Sequence, residues 1–407
     1  MTRSLEGIDA PAAPIANAPL GTVLLLGSLM AFGPLSIDTY LPAFPDIGRT
    51  FAADAAAVQR TLSAYFFGLA VGQVVYGPLA DRFGRRLPLL GGLTLYVVAA
   101  LGCATAPSLG ALTGWRFVQA LGGSAGMVIT RAVVRDRYAP REMARIFSQL
   151  MLVMGVAPIL APLIGSTLLG LAGWRGIFFA LAAFGVACGL ALALRLDESL
   201  PPERRLRAGA SVIVRTYRDL LRDPRFLAPV LGAGLLWSTM FVYIGGAPFL
   251  YMERFHVTPS VFGVLFGLNA AGMIGAAQVN ARQLRVHTPG TLLRFGAALV
   301  TGGGIGVLLA LVLEVGGLPL VAASLFVMLS GLGFVGGNAS AAALAPFPHV
   351  AGSASALMGT AQFAIGATAG AIASALFDGT GVTTAAVITT VALLGATIIV
   401  RARVGDR

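Results

Sequence analysis

Two charged residues stand among apolar neighbours. Asp38 lies in Gly33-Pro34-Leu35-Ser36-Ile37-Asp38-Thr39-Tyr40-Leu41-Pro42, and Arg116 in Trp115-Arg116-Phe117-Val118-Gln119. An ionised group well inside a membrane span costs on the order of 3 kcal/mol, so each must face a cavity or a partner. If the helix of Asp38 continues through Pro42, the two charges sit at similar depth. A carboxylate that takes up a proton beside a fixed cation is equipment for moving protons. The plainer alternative is a salt bridge that only orients two helices. Asp38 is the only acid well inside any apolar run. A second group, Gly72–Arg86, joins the apolar runs 58–79 and 87–105 and carries Gly77, Asp81, Arg82, Gly84, Arg85 and Arg86. Gly77 and Pro78 suit two helices that approach closely, with Pro78 stopping the first. Gly84 permits the turn, and Asp81 can cap a helix or pair with an arginine. A positive-inside loop would explain these arginines, but not the ordered Gly-x-Leu-x-Asp-Arg-x-Gly-Arg-Arg. Metal or nucleophile chemistry would need clustered groups. His256, His287 and His349 are scattered over different loops, and Cys103 and Cys188 lie inside apolar runs. Neither an enzyme, a metal site, a disulfide nor a cofactor is expected. No Gly-x-x-x-x-Gly-Lys-Ser/Thr is present, and all 28 basic residues are arginine, which disfavours an ATP-driven pump.

The elements that position these groups are membrane helices. Apolar residues make up 57% of the 407 and charged residues 11%, against the usual ~25% charged. Mean hydropathy is +0.85. The net charge of +11 resides in short loops between apolar runs, which is topology and not a nucleic-acid surface. Twelve runs long enough to cross ~30 Å of hydrocarbon follow a polar tail at 1–19. They are 20–41, 58–79, 87–106, 109–131, 143–169, 176–194, 227–250, 260–280, 291–313, 318–344, 355–377 and 383–400. The fold class is therefore all-α integral membrane, with twelve helices in two six-helix halves. The first half covers 20–195, a linker 196–226, the second half 227–400 and a tail 401–407. Outer loops hold only Arg49, Arg60, Arg175 and Arg254, which sets both termini in the cytoplasm. Ala16-Asn17-Ala18 precedes the first apolar run, so no cleavable signal peptide is expected. Six plus six around a central linker is the plan of two repeated halves enclosing a midplane cavity. The loop after helix 8, Asn280–Arg285, keeps arginines where a second signature would fall, without its Asp and glycines.

The loop signature resembles that of the major facilitator superfamily between its second and third helices. Arg116-Phe117-Val118-Gln119-Ala120-Leu121-Gly122 is similar to the superfamily's Arg-x-x-Gln-Gly-x-Gly, with Ala120 in place of the first glycine. The resemblance implies that Arg116 takes part in proton transfer. Gly155-Val156-Ala157-Pro158-Ile159-Leu160-Ala161-Pro162-Leu163-Ile164-Gly165 resembles the Gly/Pro-rich helix of the superfamily's antiporters. Prolines four apart free backbone carbonyls and bend a helix, and glycines allow close packing. Asp38-Thr-Tyr-Leu-Pro, Arg131-Ala-Val-Val-Arg-Asp136, Trp174-Arg-Gly-Ile-Phe178 and Gly352-Ser-Ala-Ser-Ala look like the Bcr/CflA drug-resistance transporters. That resemblance implies proton-coupled efflux of drugs such as bicyclomycin or phenicols. Some relatives carry a second acid earlier in helix 1, whereas Gly21–Ile37 has none. It also implies that Asp81, Arg85 and Asp136 latch the cytoplasmic side near Ser353–Ala356.

Tyr40, Tyr65, Gln119, Trp237, Phe241, Tyr243, Asn269 and Asn338 are candidates to line a cavity for a moderately apolar, partly aromatic molecule. The expected partners are that small molecule, protons and the lipid bilayer, with the chain a monomer in a bacterial inner membrane. Uptake or export of a metabolite is the alternative within transporters.

Overall fold

The computed structural model describes residues 20–138, 140–205, 210–347 and 350–404; the tail at 1–19 and the last three residues lie outside it. Among the described residues every regular element is a helix. They are α1 (Leu20–Asp38), α2 (Phe44–Phe51), α3 (Ala55–Phe83), α4 (Arg86–Ala104), α5 (Leu109–Arg137), α6 (Pro140–Arg195) and α7 (Ala210–Leu220), then α8 (Pro224–Pro248), α9 (Pro259–Gln283), α10 (Pro289–Val312), α11 (Gly317–Leu344), α12 (Ala351–Ala375) and α13 (Val382–Arg401). Eleven helical segments are long and apolar enough to cross a membrane. The 56-residue α6 is two crossings, because Gly173 (φ 66°, ψ −178°) interrupts it. Its two ends return to the same level: Gly27 of α1 abuts Val153, and Gly21 abuts Arg195. Twelve crossings result. Asp54, Ser108, Asp223, Thr258 and Thr288 start α3, α5, α8, α9 and α10 by accepting a first-turn N–H.

The repeat that is faint in sequence is plain in packing. Within the first half α3 packs on α5, α4 on α5 and on α6, and α1 on α6. The second half reproduces this with α9 on α11, α10 on α11 and on α13, and α8 on α12 and α13. The halves meet along two seams, α3 with α12 and α6 with α9, which exchange under the same twofold relation. Side chains facing lipid gain nothing from leaving it, so association rests on close packing of small residues. On the second seam Gly155 faces Ile274, Ile159 faces Gly267 and Leu163 faces Gly263, a four-residue ridge running antiparallel to its partner.

Four expectations about the elements need correcting. Pro78 does not stop its helix; α3 runs on to Phe83, since a proline forfeits only one backbone bond and the following turns propagate past it. Gly77 makes no tight helix contact, as a Cβ there would meet nothing within 4 Å. The first helix does not continue as a regular α-helix through Pro42. It passes from α1 into a 3-10 turn at Leu41–Ala43 and on into α2, with helical backbone angles at Tyr40, Ala43 and Phe44, since Pro42 has no N–H to give to the Asp38 carbonyl. The Asn280–Arg285 stretch is mostly helical, since α9 reaches Gln283. The linker also holds an element of its own, α7, which packs on α12.

Gly165 is where the first and fifth crossings touch most closely. A Cβ at that position would stand 2.2 Å from the carbonyl oxygen of Thr39. Gly165→Ala should therefore destabilise the protein by about 1–3 kcal/mol, read as a lower melting temperature in detergent. Gly170→Ala, where nothing lies within 4 Å, should melt like the wild type. Equal melting of both variants would show that this crossing is not tight.

Candidate functional site

The break after α1 decides what surrounds Arg116. Because the chain turns at Thr39–Tyr40, the Tyr40 ring meets the guanidinium, whose Cζ lies 4.5 Å from the ring centroid. Tyr65 of α3 lies 4.1 Å away on another side, and Phe178 of α6 lies at 5.8 Å. Arg116 Nη1 donates to Gln119 Oε1 at 2.7 Å, one turn along α5. The side chain is fully buried. Desolvated cation–π contacts are worth about 2 kcal/mol or more, the same order as the cost of burying the charge. Tyr40 is itself fixed by a 2.8 Å hydrogen bond between its hydroxyl and Thr61 Oγ1. Arg116 Nε and Nη2 and Gln119 Nε2 have no hydrogen-bond partner among the described residues. Two donors of a fixed cation are thus left open in the middle of the first half.

Of the two readings of Asp38 and Arg116, the salt bridge that only orients two helices is not made among the described residues. Asp38 is buried at 4% exposure. Tyr65 lies within electrostatic reach of both charges, and Tyr243 of the second half within reach of Asp38. Ser36 is bonded to the Tyr96 hydroxyl at 2.6 Å, which ties α1 to α4 beside them.

The remaining candidates separate into three groups. Phe241 sits at the seam between halves, with its ring centroid 4.6 Å from Phe66 and 5.5 Å from Phe363. Tyr243 accepts from Asn269 Nδ2 at 2.9 Å and stacks on Phe266, so both residues belong to a buried polar cluster that also touches Tyr251. Trp237 lies against Gly336, within the second half. Asn338 does not line a cavity: its amide donates to Asn280 Oδ1 and to the Phe334 carbonyl, both at 2.8 Å. Its amide N–H groups are used, one of them in holding α9 to α11. Sequence reasoning passed over Gln59 and Ser63, which line a small seam cavity with Phe66, Phe241 and Gly370. A lone amide in an apolar run was the available signal. That cavity offers about 10 Å³ to the centre of a water molecule, room for one water and far below a drug-sized site.

At the arginine-rich end the loop residues form a compact ion cluster. Arg85 Nε lies 2.8 Å from Asp136 Oδ2 and Nη1 lies 2.6 Å from Asp81 Oδ1. Burial alone would lower the Arg85 pKa, but the bonds and charges of Asp136 and Asp81 outweigh it and hold it above the usual value. Arg82 takes no part, since it lies over the Phe83 ring, and Arg86 donates to the Ala193 carbonyl at 2.6 Å. Asp81 makes no hydrogen bond to α12 among the described residues. The first contact between the cluster and the second half is Arg135, whose Nη1 stands 3.9 Å from where a Gly352 side chain would begin. Tyr217 of α7 lies within electrostatic reach of Asp81. Gly155 and Gly165 have the packing contacts given above, while Pro158 and Pro162 sit inside a limb that stays helical to Gly173.

This arrangement, two six-helix halves around buried charges, is that of a membrane transporter. A family model described as Major Facilitator Superfamily matches residues 24–371, and the chain belongs to that superfamily. It is a non-enzymatic, multi-pass membrane protein of bacterial type. It is 37% identical over 355 residues to an "Uncharacterized MFS-type transporter YdgK" of Bacillus subtilis, covering 87% of this chain and 88% of that one. It is 33% identical over 350 residues to a "Chloramphenicol resistance protein" of Pseudomonas aeruginosa, covering 83% and 79%. A "Bicyclomycin resistance protein homolog" of Haemophilus influenzae is 29% identical over 355 residues, covering 87% and 89%. These names agree with the Bcr/CflA resemblance read from the motifs. Among solved structures, a D-xylose-proton symporter superposes with TM-score 0.74 at 14% identity, covering 93% of this chain and 96% of that chain. A peptide transporter POT gives 0.75 at 15%, covering 96% of each. These likenesses show the fold.

Asn338 gives a test that separates packing from binding. Asn338→Ala should lower stability by roughly 0.6–2 kcal/mol, the range of interhelical hydrogen bonds in membranes. Substrate affinity should stay at the wild-type value. A variant that melts normally but binds substrate more weakly would return Asn338 to the binding site.

Proposed function

We propose that this protein exports small, moderately apolar drugs or toxic compounds from the cytoplasm in exchange for protons. The observation that carries the reading is the first-half core. Asp38 is the only acid well inside a span, and the buried cation Arg116 keeps two open donors nearby. The relatives named for resistance to bicyclomycin, chloramphenicol and multiple drugs supply the direction and the class of cargo. The arginine-rich end, with both termini, faces the cytoplasm of an inner membrane. The protein works as a monomer.

The cycle follows from the two charges. With the cavity open to the cytoplasm, deprotonated Asp38 is balanced by Arg116 and substrate binds beside them. The halves then rock about their two seams and expose the site to the periplasm. There a proton neutralises Asp38, the balance is lost and substrate leaves. Protonated Asp38 returns, and the proton is released to the less acidic cytoplasm. Arg116 contributes a positive charge spread over aromatic faces, so its role in the cycle is to set when Asp38 holds its proton. Proton-coupled uptake is the second reading; the direction inferred from the relatives' names disfavours it.

Three outcomes are expected. In proteoliposomes with an acidic lumen, wild-type protein should concentrate drug inside, whereas Asp38→Asn should lose pH-driven accumulation while remaining folded. Wild-type coupling in that variant would end the proposal. Arg116→Lys should lose most of the coupled transport, about tenfold or more, because a compact ammonium neither forks nor spreads over the Tyr40 and Tyr65 faces. A susceptibility panel on cells with and without the protein identifies the cargo. The ion cluster acts as a latch that favours the outward-facing state, so Asp81→Asn should slow transport. Spin labels on the arginine-rich ends of α5 and α12 should then report a wider gap, and an unchanged distance distribution would reduce the loop to a topology signal.

A further inference from the structure

Arg85 holds two carboxylates with its side chain, and something must hold Arg85. Its backbone N–H and that of Arg86 are the first of α4, and they have no partner inside the helix. Residue Arg85, in the N-cap position, supplies no side-chain cap. Both N–H groups are instead taken by one carboxylate from far along the chain: Glu198 Oε1 accepts from Arg85 at 2.8 Å and Oε2 from Arg86 at 3.2 Å. Glu198 Oε1 also accepts from the Leu200 N–H at 2.9 Å, which folds the linker around the carboxylate. Gly84 leaves the seat open. Its φ is +89°, and a Cβ there would lie 2.4 Å from Glu198 Oε2. The neighbours of Glu198 reach the other side of the cluster. Ser199 Oγ donates to Asp136 Oδ2 at 3.2 Å, and Arg137 donates to the Asp197 carbonyl. Segment 197–199 thus spans the loop and the end of α5.

We infer that Glu198 is a positioning residue for the ion cluster: it fixes the Arg85 backbone so that the guanidinium reaches Asp81 and Asp136 together. A negative group at a helix start is favoured by the helix dipole, and two forked N–H bonds fix its orientation as well. Burial alone would raise the Glu198 pKa, but the backbone N–H groups of Arg85, Leu200, Arg86 and Ser199 hold it below the usual carboxylate range. The Gly84 of the loop signature has a reason here beyond its turn, since it makes room for a carboxylate from the linker. The inference rests on the latch reading for its effect on transport, and on geometry alone for its effect on the loop.

The test reads both in the full-length protein. In Glu198→Ala, amide hydrogen exchange across residues 84–89 should quicken about tenfold or more, as expected for losing hydrogen bonds to a charged acceptor. Glu198→Gln keeps one acceptor and should fall between. Gly84→Ala should reproduce the Glu198→Ala exchange by evicting the carboxylate. Transport in Glu198→Ala should fall as far as in Asp81→Asn, and the double variant should be no slower than either. Unchanged exchange at 84–89 in Glu198→Gln and Gly84→Ala would overturn the inference, whatever happens to folding in the alanine variant. So would wild-type transport in Glu198→Ala beside slow Asp81→Asn. If Asp81→Asn transports normally, the latch reading fails by itself and exchange alone decides the role of Glu198.

Discussion

A guanidinium with no carboxylate partner among the described residues lies at the centre of the first half, and its neighbours are arranged around that fact. Arg116 is wholly buried, so its charge must be met by whatever faces it. Tyr40 faces it from just past the end of α1. Tyr40 in turn is oriented through Thr61 of α3, and Tyr65 one turn further along the same helix covers another side. Closing α3 onto α5 at that level needs residues with little bulk: a Cβ at Gly68 would lie 2.4 Å from the Phe117 carbonyl. The break in the first crossing and the small residues of the second are two consequences of housing one charge.

The two seams have a different character. They are built of glycine against larger side chains: Ile159 and Leu163 against α9, and Gln73 and Ser63 against Gly359 and Gly370 of α12. Ser374 Oγ donates to the Ala56 carbonyl at 2.6 Å and closes the end away from the arginines. Contacts of this kind are short-ranged and few are polar, so each is lost with a small displacement and little electrostatic cost. Within a half, buried hydrogen bonds such as Asn338–Asn280 and Ser36–Tyr96 tie helices to one another. Rigid halves joined by yielding seams are what a rocking motion requires.

Helix number, the two halves and the loop cluster were legible because each has a local signal. Twenty apolar residues cross a bilayer whatever their neighbours do, and Asp81, Arg85 and Asp136 carry a recurring pattern. What was not legible depends on tertiary placement. That the rings of Tyr40 and Tyr65 face Arg116 depends on how neighbouring helices pack, which depth along the sequence does not give. Asn338 reads as a cavity residue until Asn280, 58 positions away, claims its amide. Pro78 reads as a stop because the rule for proline comes from isolated helices, whereas α3 is held on both sides by α5 and α12. Glu198 carried no signal at all, since the linker has neither periodicity nor motif.

The ion cluster raises a question of reach that its own geometry answers. Asp81, Arg85 and Asp136 all belong to the first half, so their mutual attraction is the same whichever way the cavity faces. Such a set can bias a two-state equilibrium only through differential contact with the other half. Two routes lead there. One is Arg135 beside Gly352 at the start of α12. The other is α7, where Tyr217 lies near Asp81 and also packs with Leu220, Phe226 and Leu357 in an apolar cluster of the second half. The linker is thus anchored to the first half through Glu198 and to the second through α7. Moving the halves apart at this end must strain the cluster, the linker or both. On the latch reading proposed above, the charges hold one half rigid and the grip on the other half passes through α7 and the start of α12.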